Sequence, residues 1–175
     1  QVKAQVHVPA TINGQMFFGC ASVGPDSHAV AGVSLKLKNR IGRYAYVVAM
    51  LQFLRRWKRP QLTIKADGKS YACEAVYVAK GIYYAGPYTF APEARRTGAK
   101  LHVLALKSAT RKDFWRFIRG VMAGRPLEDR ANLIPLTCTE LEIISDEPWP
   151  VQADGDDVGT TPAKLAISDK RLRLH

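Results

Sequence analysis

Three carboxylates fall within four positions in Val151-Gln152-Ala153-Asp154-Gly155-Asp156-Asp157-Val158-Gly159, in a chain with 15 acidic residues against 26 lysines and arginines. A carboxylate beside a substrate hydroxyl can take its proton as the hydroxyl attacks a phosphoryl group. That role needs modest pKa tuning and, above all, position. The same stretch also has a plainer reading. Asp-Gly is a favoured two-residue hairpin turn, and further aspartates keep such a tip hydrated. A calcium loop of the EF-hand type is excluded, because the alternating ligands and the closing glutamate are not there.

Other chemistries find no anchor. Neither G-x-G-x-x-G nor a P-loop appears, so no glycine-rich cradle for phosphates is present. His7, His28, His102 and His175 stand singly, without metal-ligand spacing, and Gly-x-Ser-x-Gly is missing. Cys20, Cys73 and Cys138 are an odd number, far apart and without a C-x-x-C pair. They suggest neither a disulfide framework nor zinc, and a reducing, cytoplasmic compartment is expected.

The elements that must position the aspartates are mostly strands. Val2–Val8, Gln15–Cys20, Leu62–Ala66, Tyr71–Val78, Leu101–Leu106, Glu140–Ile144, Trp149–Ala153 and Lys164–Ile167 are short apolar or alternating runs, and Asn13-Gly14 and Asp67-Gly68 mark two hairpins. Two helices interrupt them. One carries Tyr44, Val47, Val48, Leu51, Leu54 and Trp57 at helical spacing and stops at Pro60. The other opens at Thr110 and Asp113, puts Phe114, Phe117, Ile118, Val121 and Met122 on one side, and ends at Gly124. The fold class is mainly β (α+β): a two-sheet antiparallel sandwich with two or three interrupting helices, as one domain over residues 1–175.

With 47% apolar residues the chain is globular, and its net charge of +11 implies an anionic partner. No run reaches the ~18 apolar residues of a membrane span, and the first residues lack a signal-peptide layout. Arg55, Arg56, Trp57, Lys58 and Arg59 are the candidate membrane contacts, with Arg111, Lys112, Trp115, Arg116 and Arg119 as a second cluster. An inward-packed tryptophan on a solvated basic face is the plainer account of either. A nucleic-acid-binding module, with Tyr71, Tyr77, Tyr83, Tyr84 and Tyr88 as stacking platforms, is the alternative from another class, although no recognised nucleic-acid motif supports it.

Three stretches together resemble the carboxy-terminal domain of the bacterial diacylglycerol kinase and sphingosine kinase family: Phe17-Phe18-Gly19-Cys20-Ala21-Ser22-Val23-Gly24-Pro25-Asp26, Tyr84-Ala85-Gly86-Pro87-Tyr88-Thr89-Phe90-Ala91-Pro92-Glu93-Ala94, and Val151-Gln152-Ala153-Asp154-Gly155-Asp156. The resemblance implies the sandwich of the second domain of NAD kinase/diacylglycerol kinase-like proteins, facing an amino-terminal nucleotide-binding domain absent from this chain. It also implies an ATP-dependent lipid kinase at the inner membrane surface. ATP and magnesium would be held through the absent domain, and this chain alone would carry no cofactor and transfer nothing. By that carry-over Asp156 stands where the family has its proton-accepting glutamate, with Asp154 in support. Where family members carry Asp-Asp-Gly for a structural magnesium, this chain reads Arg95-Arg96-Thr97-Gly98, so loss of that metal site, at Thr97, is expected. A domain that keeps the fold without the chemistry is the third reading.

Overall fold

The computed structural model describes residues 5–31, 57–84, 87–124 and 131–174. In chain order the elements are β1 (Gln5–His7), β2 (Ala10–Ile12), β3 (Gln15–Phe17), β4 (Cys20–Val23), α1 (Pro25–Ala31), β5 (Leu62–Ala66), β6 (Lys69–Cys73), β7 (Ala75–Ala79) and β8 (Leu101–Leu106), followed by α2 (Arg111–Met122), β9 (Leu133–Cys138), β10 (Glu140–Ser145), β11 (Pro150–Ala153), β12 (Asp156–Thr160), β13 (Ala163–Ile167) and β14 (Leu172–Leu174). Turn chemistry sets the hairpins. Asn13, Asp67 and Asp154 have φ of 47°, 48° and 50°, each followed by a glycine at positive φ. Positive φ at both central positions is what a type I′ turn requires, and its twist matches that of the flanking strands. These turns join β2 to β3, β5 to β6 and β11 to β12.

Among the described residues the strands form two six-stranded sheets, ordered β3-β2-β13-β10-β5-β6 and β12-β11-β4-β7-β8-β9, while β1 and β14 make a separate ribbon. All pairings are antiparallel, and the two large sheets bury one face each against the other. On β5 strict alternation puts Leu62, Ile64 and Ala66 inside and Thr63 and Lys65 outside. Ile12, Phe17, Ile143 and Leu165 meet Val76, Val78, Val103 and Ala105 in that interior, and each such aliphatic contributes about 1.5–3 kcal/mol when fully buried.

The second sheet is covered on its outer face as well, which is why β7 is buried at every position. Tyr77 lies beneath α2, its ring stacked on Phe117 with centroids 4.3 Å apart. Helix α2 starts where Thr110 accepts the Asp113 N–H, and Gly124 closes it at φ 60°. Phe114, Phe117 and Val121 are buried as its spacing predicts, but Met122 is 56% exposed, because it projects at the edge of that stripe, about 100° around the helix from Val121.

Two expected runs are divided. Tyr71–Val78 breaks at Glu74, where the chain passes from one sheet to the other. The Glu74 N–H donates to the Leu106 carbonyl, and its carboxylate accepts from Ala109 N and Arg59. Gln15–Cys20 breaks at Phe18-Gly19, and the described part of Val2–Val8 holds β1 before the chain turns into β2. Strand β9 has no counterpart among the expected runs. It carries Pro135, which is tolerated because β9 is a sheet edge. The helix expected from Tyr44 lies outside the described residues up to position 56. No helix among the described residues is long and apolar enough to cross a membrane.

Candidate active site

The second sheet's outer face carries a chain of polar contacts that starts at the β11–β12 turn. Gly155 N–H donates to Gln152 Oε1 at 3.0 Å, and Gln152 Nε2 donates to Ser22 Oγ at 2.8 Å. Ser22 Oγ in turn donates to Asp26 Oδ2 at 2.5 Å, and the Tyr84 hydroxyl donates to the same oxygen at 2.5 Å. Strand pairing explains the first links, since Gln152 lies opposite Ser22 across β11 and β4. Asp26 enters from the first turn of α1, where Pro25 presets φ. Burial pushes the Asp26 carboxyl above its usual value, against the pull of the Ser22 and Tyr84 hydrogen bonds. Its Oδ1 is buried with no hydrogen-bond partner among the described residues.

Asp154 does something different. Its Oδ2 accepts the Phe18 N–H at 2.8 Å, and its Oδ1 accepts those of Gly19 and Cys20 at 2.8 and 2.9 Å. The Asp154 N–H donates back to Cys20 O at 2.8 Å. Gly19 makes this approach feasible, because a Cβ there would sit 2.8 Å from Asp154 Oδ1. The carboxylate thus staples the break between β3 and β4 to the turn. Asp156 begins β12 opposite Ala153, whose side chain belongs to the sandwich interior, while Asp157 is the residue opposite Gln152. Asp157 accepts the Gly159 N–H at 3.1 Å.

Asp26, Asp154, Gln152, Tyr84, Gly19 and Arg96 line an open cleft of about 550 Å³. Asp156 is not among its lining residues. In the sequence the turn aspartates stand out as site residues, whereas Asp26 is visible only as part of a motif. Its four-residue spacing from Ser22 was the available signal. Cys20 also lines the cleft, but burial, then the nearby Asp154 and Asp26, push its thiol up to about 12. A thiol so far from ionising is not a nucleophile.

At the loop expected to have lost a magnesium, Lys80 is fully buried and donates its ammonium to the carbonyls of Arg95, Arg96 and Gly98 at 3.1, 3.1 and 2.8 Å. Burial lowers its pKa to about 8, and the three acceptors oppose that shift. Carbonyls already engaged by a cation, with Thr97 exposed beside them, do not fit a divalent ion.

Of the membrane candidates, Arg55 and Arg56 lie outside the described residues. Trp57 is half-buried on Phe114 and donates its indole N–H to Ala109 O at 3.0 Å. Lys58 is exposed, and Arg59 pairs with Glu74 at 3.2 Å. On α2, Lys112, Trp115 and Arg119 share the outward face, with Trp115 46% exposed. Of the tyrosines proposed for stacking, Tyr77 is fully buried and Tyr84 is bound to Asp26.

Residues 19–175 match the family described as the YegS C-terminal NAD kinase beta sandwich-like domain. A curated relative from Synechocystis sp., described as uncharacterized protein sll0036, is 25% identical over 162 residues, which cover 88% of this chain and 37% of that protein. A diacylglycerol kinase structure from Bacillus anthracis str. Sterne superposes with a TM-score of 0.62 at 17% identity, over 94% of this chain and 51% of the other. A candidate diacylglycerol kinase from the same organism reaches 0.68 at 22% identity, over 94% and 54%. The chain therefore spans about half the length of these structures, and the likeness is one of fold. With the family match running from Gly19 to the last residue and the two-sheet framework in common, the chain belongs to the YegS C-terminal NAD kinase beta sandwich-like domain family.

Proposed function

We propose that this chain is the substrate-side domain of an ATP-dependent lipid kinase, which phosphorylates a lipid alcohol such as diacylglycerol when joined to a nucleotide-binding domain. The observation that carries this reading is Asp26: a buried carboxylate of raised proton affinity in the lining of an open cleft, oriented by Ser22 and Tyr84. A carboxylate whose proton affinity is raised by burial holds a hydroxyl's proton more readily than a solvated one does. Geometry favours Asp26 over Asp156 as that acceptor. Asp154 supports it by holding Phe18–Cys20 against the turn. ATP and magnesium belong to the partner domain, and they supply the phosphoryl group and its charge neutralisation.

The test is transfer of labelled phosphate from ATP to diacylglycerol in mixed micelles by a full-length protein that contains this domain. Label in the lipid phase is the expected result. A folded full-length protein that labels no lipid alcohol sinks the proposal. That outcome favours the non-catalytic reading, which the position of Asp156 opposite Ala153 supports.

A lipid kinase must meet its substrate at a bilayer, and the outward face of α2 is suited to one, with an exposed tryptophan between cations. Each Lys or Arg near an anionic surface adds about 1 kcal/mol. Lys112→Glu with Arg119→Glu is expected to weaken sedimentation with phosphatidylserine vesicles by at least tenfold, with no change on neutral vesicles. Unchanged binding to the anionic vesicles removes this face from consideration.

A further inference from the structure

We propose that Arg96 is a phosphate contact of the cleft and that the buried ammonium of Lys80 holds it there. Both the backbone and the side chain of Arg96 are positioned. Its carbonyl accepts from Lys80 Nζ at 3.1 Å and from Val8 N at 2.9 Å. Its side chain lies across Gly81, where a Cβ would come within 3.1 Å of Nε and 3.4 Å of Cγ. The Lys80 and Gly81 N–H groups both donate to Gly19 O at 2.8 Å, which ties this loop to the segment that Asp154 clamps.

Among the described residues nothing engages the guanidinium in a hydrogen bond or ion pair, whereas neighbouring Arg95 is spent on the carbonyls of Pro92 and Ala94. The cleft's own carboxylates do not claim it. Asp154 is engaged by three backbone N–H groups, and Asp26 Oδ2 by the Ser22 and Tyr84 hydroxyls. A planar, permanently charged donor fork left uncommitted in a concave site matches the oxygens of a terminal phosphate or phosphate monoester. Lys80 serves the loop as an internal cation, gathering three carbonyls around its ammonium.

The ligand's identity rests on the kinase reading, but the test does not need turnover. The full-length protein is titrated calorimetrically with inorganic phosphate, with ATP, and with monomeric short-chain lysophosphatidic acid. Arg96→Gln is expected to weaken phosphate binding at least tenfold while melting within about two degrees of wild type, since the side chain is exposed. Arg95→Gln is expected to leave binding unchanged. Lys80→Met, measured where it is still folded, is expected to weaken binding as Arg96→Gln does although its guanidinium is intact. A loss shared with ATP assigns the contact to the nucleotide, and a loss confined to lysophosphatidic acid assigns it to the lipid phosphate. Wild-type affinity in Arg96→Gln, or an equal loss in Arg95→Gln, overturns the contact. Wild-type affinity in Lys80→Met overturns the role of Lys80. Arg96-dependent binding by a protein that transfers nothing leaves this inference standing and removes the kinase reading. Transfer with binding indifferent to Arg96 does the reverse.

Discussion

Asp154→Asn lowers the unfolding free energy by about 2 kcal/mol, an expected drop of ~4–8 °C in the melting temperature of a domain this size. Three charge-assisted hydrogen bonds at about 1.5–3 kcal/mol each would suggest far more. Two of the donors, Phe18 and Gly19, are open enough for water to replace the lost acceptor, and only Cys20 N is partly enclosed. The amide must also turn its NH2 toward at least one of those N–H groups, setting donor against donor. Asn tolerates the left-handed φ of 50° that Asp154 adopts, so this variant isolates the carboxylate. Asp154→Ala adds about 1 kcal/mol of backbone strain. Gly19→Ala damages the same clamp from the other side, because its Cβ would displace Oδ1. The double variant Gly19→Ala/Asp154→Asn is therefore expected to cost clearly less than the sum of the two. Additive losses in a denaturant cycle would show that Asp154 does not act through Phe18–Cys20.

What could be read in advance follows from which interactions are local. Asn13-Gly14, Asp67-Gly68 and Asp154-Gly155 announce their hairpins because the backbone demand falls on the two turn residues themselves. Helix α2 is equally legible, with its cap at Thr110, its apolar spacing and its closing glycine all within one short stretch. The break at Glu74 is not legible, since it depends on Leu106 and Ala109, which are far along the chain. Strand β9 is concealed by Pro135, which only an edge position excuses. The site divides in the same way. The acidic turn is visible as composition, but the sequence does not reveal that Asp154 turns back to N–H groups more than a hundred positions earlier. Asp26 reads as an ordinary acidic residue in a helix's first turn until Tyr84, 58 positions later, covers it. Lys80 carries no signal at all, because three carbonyls around one ammonium are a product of packing.

Asp26→Asn carries the largest expected effect, a loss of 10²- to 10⁴-fold in kcat for phosphoryl transfer by the full-length protein, or ~3–5 kcal/mol of barrier. The amide oxygen still accepts from Ser22 and Tyr84, so the cleft keeps its shape and KM for the lipid is expected to hold. What disappears is the capacity to bind a proton. Asp156→Asn, on an exposed strand start opposite Ala153, is expected to lower kcat by less than tenfold. A reversed ranking of the two variants would return the proton transfer to Asp156. Stability supplies a second readout that does not need turnover. Burial raises the folded-state pKa of Asp26 above the ordinary 3.8, so between those two values the folded protein holds more proton than the unfolded one. By linkage, the contribution of Asp26 to stability is full below 3.8 and is lost as pH rises through its folded value. The wild type should therefore lose stability relative to Asp26→Asn as pH increases from about 4, with the difference levelling off once Asp26 is ionised in both states. Denaturant unfolding of both proteins from pH 4 to pH 8 measures this, and parallel curves would mean an ordinary carboxylate at position 26. Without the raised proton affinity the case for Asp26 as the base reduces to its place in the cleft lining, which Gln152 and Tyr84 share.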